Sequence, residues 1–249
     1  MDRLLTPPYT PYQHTDASLA ERGYVVLAPG GLARLLDSEQ CESPLGAWTQ
    51  HWGDLPLDQH LRDGGEYRRR RHSSFIVESG EVQQVAHRAH WQPIDYNALH
   101  GGMERWFEPL APELVDDPVW SRLLVALTER AVALRNHDGK WFVEAHAFRI
   151  DTNGGIGRPT PEGAHRDGVD LVAVILIDRE GIKGGETRVF DANGPNGQRF
   201  TMSEPGTAML IDDARTIHET TPIQPEVPGG GGQRDTLVLT WRSDGFQDP

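Results

Sequence analysis

Apolar and polar positions follow different patterns in the two halves of the chain, and the first half mixes helical and extended segments. Residues 16–22 and 31–37 have the composition and spacing of short helices. Gly23 directly follows the first of these, at the place where glycine commonly ends a helix. The next four residues, YVVL at 24–27, combine aromatic and β-branched side chains and predict a strand.

A longer helical pattern begins near residue 117, where apolar side chains recur at near-helical spacing. Asp116 or Asp117 can cap its start, and Pro118 suits the first turn because a proline there loses no helical hydrogen bond. We therefore expect a helix that ends near residues 136–139 and buttresses the rest of the fold.

After this helix the pattern changes to short strands. Candidate strands lie at residues 141–150, 169–177, 186–190, 207–211, 216–223 and 235–241. Sequences rich in glycine, proline and asparagine separate them, and no segment of helix length intervenes. The pattern argues against parallel βαβ winding and predicts an antiparallel barrel or jelly roll.

Length, charge and composition narrow the class of protein. The 249 residues suffice for a sizeable core in one β-rich domain. No apolar run approaches the roughly 20 residues of a membrane span, and a net charge of −13 argues against broad contact with nucleic-acid phosphates. The amino terminus lacks the features of a secretory signal, and the single cysteine, Cys41, cannot form an internal disulfide. We expect a cytoplasmic protein that binds neither nucleic acid nor membranes, and the oligomeric state stays open.

His165 and Asp167 lie two positions apart in the segment TPEGAHRDGVDL, at residues 160–171. In an extended backbone their side chains project from one face and can bind one ion, while Arg166 points away. Two histidines and one carboxylate form the facial triad of non-haem Fe(II) oxygenases, and His218, in the segment ARTIHETTPI, can supply the second histidine. A lone His-x-Asp triplet is more often a solvated strand end, so these residues alone leave both interpretations open.

Arg234 begins the segment RDTLVLTW, and Thr236 lies on the same face of that predicted strand. A guanidinium can bind a carboxylate through two hydrogen bonds, and a neighbouring hydroxyl can donate one more. An arginine at a strand start can also pair with an acid such as Asp235. Its position after the candidate ligand His218 favours an anchor for an anionic cosubstrate.

The remaining motifs give weaker evidence of function. The histidine pair in HRAH, at 87–90, has metal-like spacing on a helix, but no companion ligand motif supports it, and we expect a surface pair. No P-loop, dinucleotide-binding glycine pattern or nucleophilic-serine motif occurs, which removes support for nucleotide hydrolase, dehydrogenase and esterase functions.

Several longer segments resemble one family. The sequences TPEGAHRDGVDLVAVILIDREGIKGGETRVFDANG, MLIDDARTIHETTPIQP and RDTLVLTWR look like the bacterial Fe(II)/2-oxoglutarate dioxygenases typified by L-isoleucine dioxygenase. YRRRRHSSF, DYNALHGGMERWFEPL and EAHAFRI extend the resemblance upstream, so that it covers most of residues 60–242.

The resemblance implies an α+β fold with a mainly β core. That core would be a double-stranded β-helix, a cupin-like jelly roll, with buttressing helices. We expect a single dioxygenase domain over residues 1–249. Its mixed N-terminal part, 1–140, would pack on a jelly-roll core at 141–242 that carries the metal and cosubstrate motifs.

The resemblance also implies an activity. Fe(II) would be held by His165, Asp167 and His218, and Arg234, assisted by Thr236, would bind the distal carboxylate of 2-oxoglutarate. With O₂ as the third reactant, 2-oxoglutarate would be decarboxylated to succinate while a C–H bond of a free L-amino acid is hydroxylated. The alternatives are the same chemistry on a tethered or derivatised amino acid, and a non-oxidative cupin-like metal-binding protein.

A free amino acid requires partners for its α-carboxylate and its α-ammonium. Candidates for these contacts are Arg149, Arg166, Arg70 and Glu186. Alternation in an extended segment lets at most half of the arginine run at 68–71 line a pocket. Each candidate is equally consistent with a solvated side chain or a structural salt bridge.

Overall fold

A computed structural model describes residues 4–37, 45–97 and 99–249. Cys41, the single cysteine used above to argue for a cytoplasmic protein, lies outside the described residues. Among the described helices, none is long and apolar enough to cross a membrane.

The helices lie mainly in the first half of the chain. Those described are α1 (Thr15–Arg22), α2 (Pro29–Leu35), α3 (Pro112–Val115) and α4 (Pro118–Arg135), with 3₁₀ turns at Tyr12–His14 and Gly46–Trp52. Gly23 ends α1 with a φ of +80°, a left-handed conformation that glycine adopts without strain. Asp117 caps α4 by accepting a hydrogen bond from the backbone N–H of Val119 at 2.8 Å. The predicted long helix and its cap are therefore confirmed.

The strands occupy both halves of the chain. Those described are β1 (Tyr24–Leu27), β2 (Arg68–Glu78), β3 (Glu81–Gln84), β4 (Trp141–Asp151), β5 (Leu171–Glu180), β6 (Ile182–Gly184), β7 (Thr187–Asp191), β8 (Gly197–Phe200), β9 (Ala208–Asp212), β10 (Thr216–Thr220), β11 (Ile223–Pro225) and β12 (Gln233–Arg242).

The largest sheet has the strand order β1-β9-β5-β12-β4-β2-β3, and its neighbours are all antiparallel. A second sheet has the order β10-β7-β8, and β6 pairs with β11. Strands from before residue 140 join the same sheet as strands from after it. The expected antiparallel, mainly β fold is confirmed, while the division of the chain at residue 140 stays a prediction.

The large sheet packs on a different layer at each face. On one face, the buried side chains of Leu237, Leu239 and Trp241 belong to the same apolar cluster as Trp120 and Leu123 of α4. On the other face, apolar side chains of β5 and β9 meet Val189 and Phe200 of the smaller sheet. The helix therefore buttresses a two-sheet sandwich, and the alternate residues of β12 face the space between the sheets.

Some element boundaries differ from the sequence predictions. The second helix begins at Pro29 and ends at Leu35 rather than spanning 31–37. The predicted strand 216–223 is divided by Thr221 and Pro222 into β10 and β11. The segment HRAH is not helical. The expectation of a surface pair is wrong for His90, which is buried and whose backbone pairs with that of Arg105 in an isolated bridge.

Candidate metal and cosubstrate site

Backbone pairing brings His165 and His218 opposite each other. The two residues form an isolated antiparallel bridge in which each backbone N–H donates to the other's carbonyl at 3.0 Å. Their ring centroids are 4.6 Å apart. His218 lies in β10 of the smaller sheet, so the pairing fixes the segment before β5 against that sheet.

Asp167 completes the group. Its Oδ1 lies 3.8 Å from His165 Nε2, and its Oδ2 lies 3.7 Å from His218 Nε2. Both distances are longer than a hydrogen bond. An ion bound roughly 2 Å from each nitrogen and from the carboxylate would fit between the three side chains. His165 Nδ1 lies 2.9 Å from the carbonyl of Gly163, to which it can donate. That hydrogen bond leaves the Nε2 lone pair free for an ion, which is the tautomer that a ligand requires.

Asp213 positions the segment that carries Asp167. Its carboxylate accepts hydrogen bonds from the backbone N–H groups of Asp167, Gly168 and Val169 at 2.9, 2.8 and 3.1 Å. Gly168 has a φ of +75°, which lets the chain turn there. Sequence reasoning missed Asp213, although the DD pair before ARTIH was visible.

The site perturbs the ionisation of these side chains. Burial, together with the nearby His165 ring, lowers the pKa of His218 to about 3, so His218 is neutral, as a ligand must be. Burial opposes protonation of His165, but Asp167 and Glu162 together raise its pKa. Burial and the negative charge of Asp167 raise the pKa of Asp213 to about 7. A cation between the ligands would relieve this concentration of acidic charge.

Arg234 and Thr236 line the same cavity as the three metal-type side chains. Both are buried on β12, with 3% of each residue exposed. Nε and Nη2 of Arg234 have no hydrogen-bond partner among the described residues. Burial lowers the pKa of Arg234 to about 10, which is still high enough to keep it charged near neutral pH. A buried guanidinium with two unpaired donor atoms fits a carboxylate ligand in this cavity.

Three of the four side chains predicted to contact the substrate are instead bonded to other groups of the protein. Arg149 donates Nε and Nη2 to the carboxylate of Asp235 at 2.8 and 2.7 Å. Arg166 donates to the carbonyl of Ala214 at 3.2 Å. Glu186 accepts from Arg188 at 2.8 Å.

Of the four candidates for substrate contacts, Arg70 alone lines the cavity within the described part of the chain. It is buried on β2 beside Arg68, whereas Arg69 points to the opposite face and lies 3.6 Å from Asp151. The alternation expected for the arginine run therefore holds.

A second group of ligand-type side chains is buried beside the same cavity and consists of His72, His90, Glu144 and His146, of which the last three line the cavity. His72 Nε2 and His90 Nδ1 lie 3.3 and 3.2 Å from the two oxygens of Glu144. Arg70 donates to His146 Nδ1 at 2.9 Å. The sequence gives no spacing signal for His72, Glu144 and His146, because the register of β2 and β4 brings them together, with His72 opposite His146. His90 joins them from outside these two strands.

Hydrogen bonds already use most donor and acceptor atoms of this second group. Arg88 Nη1 donates to Glu144 at 3.1 Å, and the rings of His72 and His146 stack at 4.7 Å with an angle of 16°. Burial lowers the pKa of His146 well below its ordinary value and that of His90 to about 3. We interpret the group as three neutral histidines around one ionised carboxylate rather than as a second metal site. The nearby arginines are positively charged and disfavour an additional cation.

Comparison with protein families shows which family the chain belongs to. The model of the 2OG-Fe dioxygenase family matches residues 49–240. The protein belongs to this family. The family uses Fe(II), 2-oxoglutarate and O₂, so the protein is an oxygenase with a His/Asp/His-type metal site. Comparison with curated proteins finds no match.

Solved structures have a similar fold. A bsmA homolog from Methylobium petroleophilum PM1 is 52% identical, with a TM-score of 0.89 and 98% of each chain covered. IDO from Bacillus thuringiensis is 17% identical, with a TM-score of 0.76 over 98% of this chain and 100% of the other. The Fe(II)/(alpha)ketoglutarate-dependent dioxygenase TqaL is 18% identical, with a TM-score of 0.71 over 93% of this chain and 86% of the other. The expected double-stranded β-helix fold is thus confirmed.

Proposed function

We propose that this 2OG-Fe dioxygenase hydroxylates a C–H bond of a free L-amino acid. In this proposal His165, Asp167 and His218 hold Fe(II), and Arg234 binds the distal carboxylate of 2-oxoglutarate with help from Thr236. The observation that carries it is the buried, unpaired guanidinium of Arg234 in the same cavity as the three metal-type side chains.

When bound, Fe(II), 2-oxoglutarate and O₂ would supply the chemistry: one oxygen atom of O₂ would enter the C–H bond and the other would enter the succinate formed, with carbon dioxide, from 2-oxoglutarate. The chain's own residues do the positioning. Gly163 and Asp213 orient the ligand segment through hydrogen bonds to His165 and to the backbone of Asp167. Val174, Met209 and Val238 line part of the cavity with apolar groups, which favour exclusion of water from the reacting centre.

The choice of a free amino acid as substrate is supported by the resemblance of the segments around the metal and cosubstrate motifs. The cavity that contains the metal-type ligands also contains charged side chains of both signs, among them Arg105 and Glu162. Charges of both signs suit a zwitterion better than an uncharged or purely apolar substrate.

The test begins without oxygen. We expect the protein with Fe(II) to develop a weak visible metal-to-ligand charge-transfer band on addition of 2-oxoglutarate. Oxygen and a panel of L-amino acids should then give succinate and a product with one additional oxygen atom. His218→Ala should lose both the band and the turnover, whereas His87→Ala, an exposed histidine outside the cavity, should keep them.

The result separates the alternatives. Turnover of an N-acylated or carrier-tethered amino acid, with none on the free panel, would replace the proposed substrate class. Full turnover by His218→Ala would refute the assignment of the metal ligands. Failure to form the band in the unmodified protein would favour a non-oxidative metal-binding function.

A further inference from the structure

Two buried arginines at the cavity form no ion pair with an acidic side chain of the described residues. Arg70 and Arg105 are 3% and 2% exposed, and both line the cavity. Arg70 donates to His146 Nδ1 at 2.9 Å and Arg105 donates to Gln92 Oε1 at 2.9 Å, both neutral acceptors. The Nε of each has no hydrogen-bond partner in the described part of the chain. Each buried guanidinium therefore lacks a carboxylate in hydrogen-bond contact among the described residues.

Two other charged side chains at the cavity, Arg68 and Glu144, already have oppositely charged partners. Arg68 donates to Asp58 at 2.7 Å, and Glu144 accepts from Arg88 at 3.1 Å. Arg234 is assigned to the cosubstrate by the proposed function. Arg70 and Arg105 are therefore the cavity's remaining arginines without an assigned anionic partner. Burial lowers the pKa of Arg70 well below its ordinary value, and the positive charge of Arg105 lowers it further.

Contacts place Arg105 close to the candidate metal ligands. Its Nη2 donates to Gln92 Oε1, and the Nε2 of the same glutamine donates to Asp167 Oδ1 at 3.3 Å. One glutamine side chain thus separates the guanidinium from a ligand carboxylate. A group bound by Arg105 would therefore lie beside Gln92, whose side chain contacts the carboxylate of Asp167.

Arg70 is held in place by aromatic rings. Its guanidinium lies 4.1 Å from the ring centroid of Phe107 and 4.6 Å from that of Phe148. Contacts with both rings and with His146 restrict its rotamer, so little side-chain entropy remains to be lost when it binds an anion.

Glu162 supplies the opposite charge in the same cavity. Its Oε1 lies 3.6 Å from His165 Nε2, and its Oε2 is buried with no hydrogen-bond partner among the described residues. Its side chain is 14% exposed. Electrostatic interaction with Glu162 also raises the pKa of Arg105, although burial dominates and lowers that pKa to about 10.

We propose that Arg70 and Arg105 bind the α-carboxylate of the substrate and that Glu162 accepts a hydrogen bond from its α-ammonium. This inference rests on the proposed function and deepens it, because it assigns both charged ends of a free amino acid to named side chains. The side chain of the substrate would then be directed toward the metal-type ligands and the apolar positions on β5, β9 and β12.

The consequence is selectivity for an unmodified amino acid. An amide in place of the α-carboxylate leaves the two guanidinium groups without a counter-charge. An acylated or absent amine leaves Glu162 without a cation. Each loss should weaken binding by about 30-fold or more, the usual minimum for removing one side of a buried charged pair.

Binding can be measured without turnover. The anaerobic protein with Fe(II) and 2-oxoglutarate is titrated with the best L-amino acid from the panel, with its amide and with its des-amino acid, and the change in the visible band gives each affinity. We expect the free amino acid to bind at least about 30-fold more tightly than either analogue.

Variants assign each loss to a side chain. Arg105→Gln and Arg70→Gln should weaken the free amino acid about 30-fold or more but change the affinity of the amide little. Glu162→Gln should weaken the free amino acid and leave the des-amino acid unaffected. If the Gln variants fail to fold, Arg70→Lys and Arg105→Lys can be used instead. They keep the buried charge and should retain part of the affinity for the free amino acid. Arg69→Gln, on the opposite face of β2, and Glu180→Gln, which is exposed, are the matched controls.

The outcomes distinguish this inference from the proposed function. Equal affinity for the amide and the free acid, with the 2-oxoglutarate band intact, would overturn the carboxylate assignment and leave the dioxygenase function standing. Equal effects of Arg105→Gln on acid and amide would also overturn it. Loss of the 2-oxoglutarate band in the unmodified protein would instead refute the proposed function itself.

Discussion

Arg234 and Arg149 lie on neighbouring strands of one sheet, and replacing each by methionine should have opposite effects on stability. Arg234 on β12 is opposite Ile150 of β4, and the next residue, Asp235, is opposite Arg149. Arg149 holds the buried Asp235 through two hydrogen bonds, whereas Nε and Nη2 of Arg234 have no partner among the described residues. The cosubstrate-free protein therefore contains one well-paired arginine and one that burial penalises.

The magnitude follows from the ionisation of Arg234. Its pKa is lowered from 12.5 to about 10 because burial disfavours the charged form. At about 1.4 kcal/mol per pKa unit, this corresponds to a cost of about 3 kcal/mol in the folded state. Methionine is apolar and flexible enough to occupy much of the same space, so Arg234→Met should raise the free energy of unfolding by about 1–3 kcal/mol without 2-oxoglutarate.

Arg149→Met should act in the other direction. It leaves the carboxylate of Asp235, which is 1% exposed, buried without its cation. Breaking such a pair from one side costs about 3–5 kcal/mol. The affinity for 2-oxoglutarate should change little, because Arg149 does not line the cavity within the described residues.

Urea unfolding with and without 2-oxoglutarate, in the presence of a divalent ion and without oxygen, measures both effects. At a concentration 100 times its Kd, 2-oxoglutarate should stabilise the unmodified protein and Arg149→Met by about 2.7 kcal/mol. Arg234→Met should gain almost nothing, since loss of the guanidinium weakens cosubstrate binding about 100-fold or more.

Two results would refute this reasoning. If Arg234→Met destabilised the protein as much as Arg149→Met, Arg234 would have a structural partner and its burial would not be a cost. If Arg234→Met retained the full stabilisation by 2-oxoglutarate, the anchor would be a different residue.

Three further predictions concern the metal site and the buried histidines. His218→Ala should reduce the stoichiometry of tightly bound Fe(II), measured by metal analysis after gel filtration, to near zero. Asp213→Asn should weaken Fe(II) affinity about 10- to 100-fold in a metal titration, because an amide accepts fewer of the N–H groups around Asp167. His90 and His146 have folded-state pKa values below the unfolded value near 6.5, so protons bind preferentially to the unfolded chain as pH falls. Together they should lower the free energy of unfolding by about 2 kcal/mol between pH 6.5 and pH 5.5 in denaturant titrations; a flat profile would contradict their neutral, buried state.

The sequence could predict elements whose pattern is local. The long helix α4 was predictable because its apolar period, its cap at Asp117 and Pro118 all lie within one segment. The strand β12 was predictable because β-branched and aromatic residues cluster from 235 to 241. The pair formed by His165 and Asp167 was visible for the same reason, since residues two apart share a face in extended chain.

Features that depend on strand register were not predictable from one sequence. The run of arginines at 68–71 gives β2 a polar composition that hides its strand character. Which arginine faces the cavity follows only from pairing with β4, which places His72 opposite His146 and Arg70 opposite Phe148. Glu162 was equally hidden, because its approach to His165 depends on the turn at Gly163, with a φ of +83°.

Register also explains why the site and the core constrain each other. On β12, Leu237, Leu239 and Trp241 pack in the core that contains α4, while Thr236 and Val238 face the cavity. A shift by one residue would expose the apolar side chains to the cavity and exchange the positions of Arg234 and Asp235, since side chains alternate along a strand. Burial of the leucines and the tryptophan against α4 therefore determines that an arginine, rather than an aspartate, faces the cavity at the position proposed to bind the cosubstrate. We expect mutations that loosen the contact between α4 and β12 to weaken 2-oxoglutarate binding, although the helix does not touch the cavity.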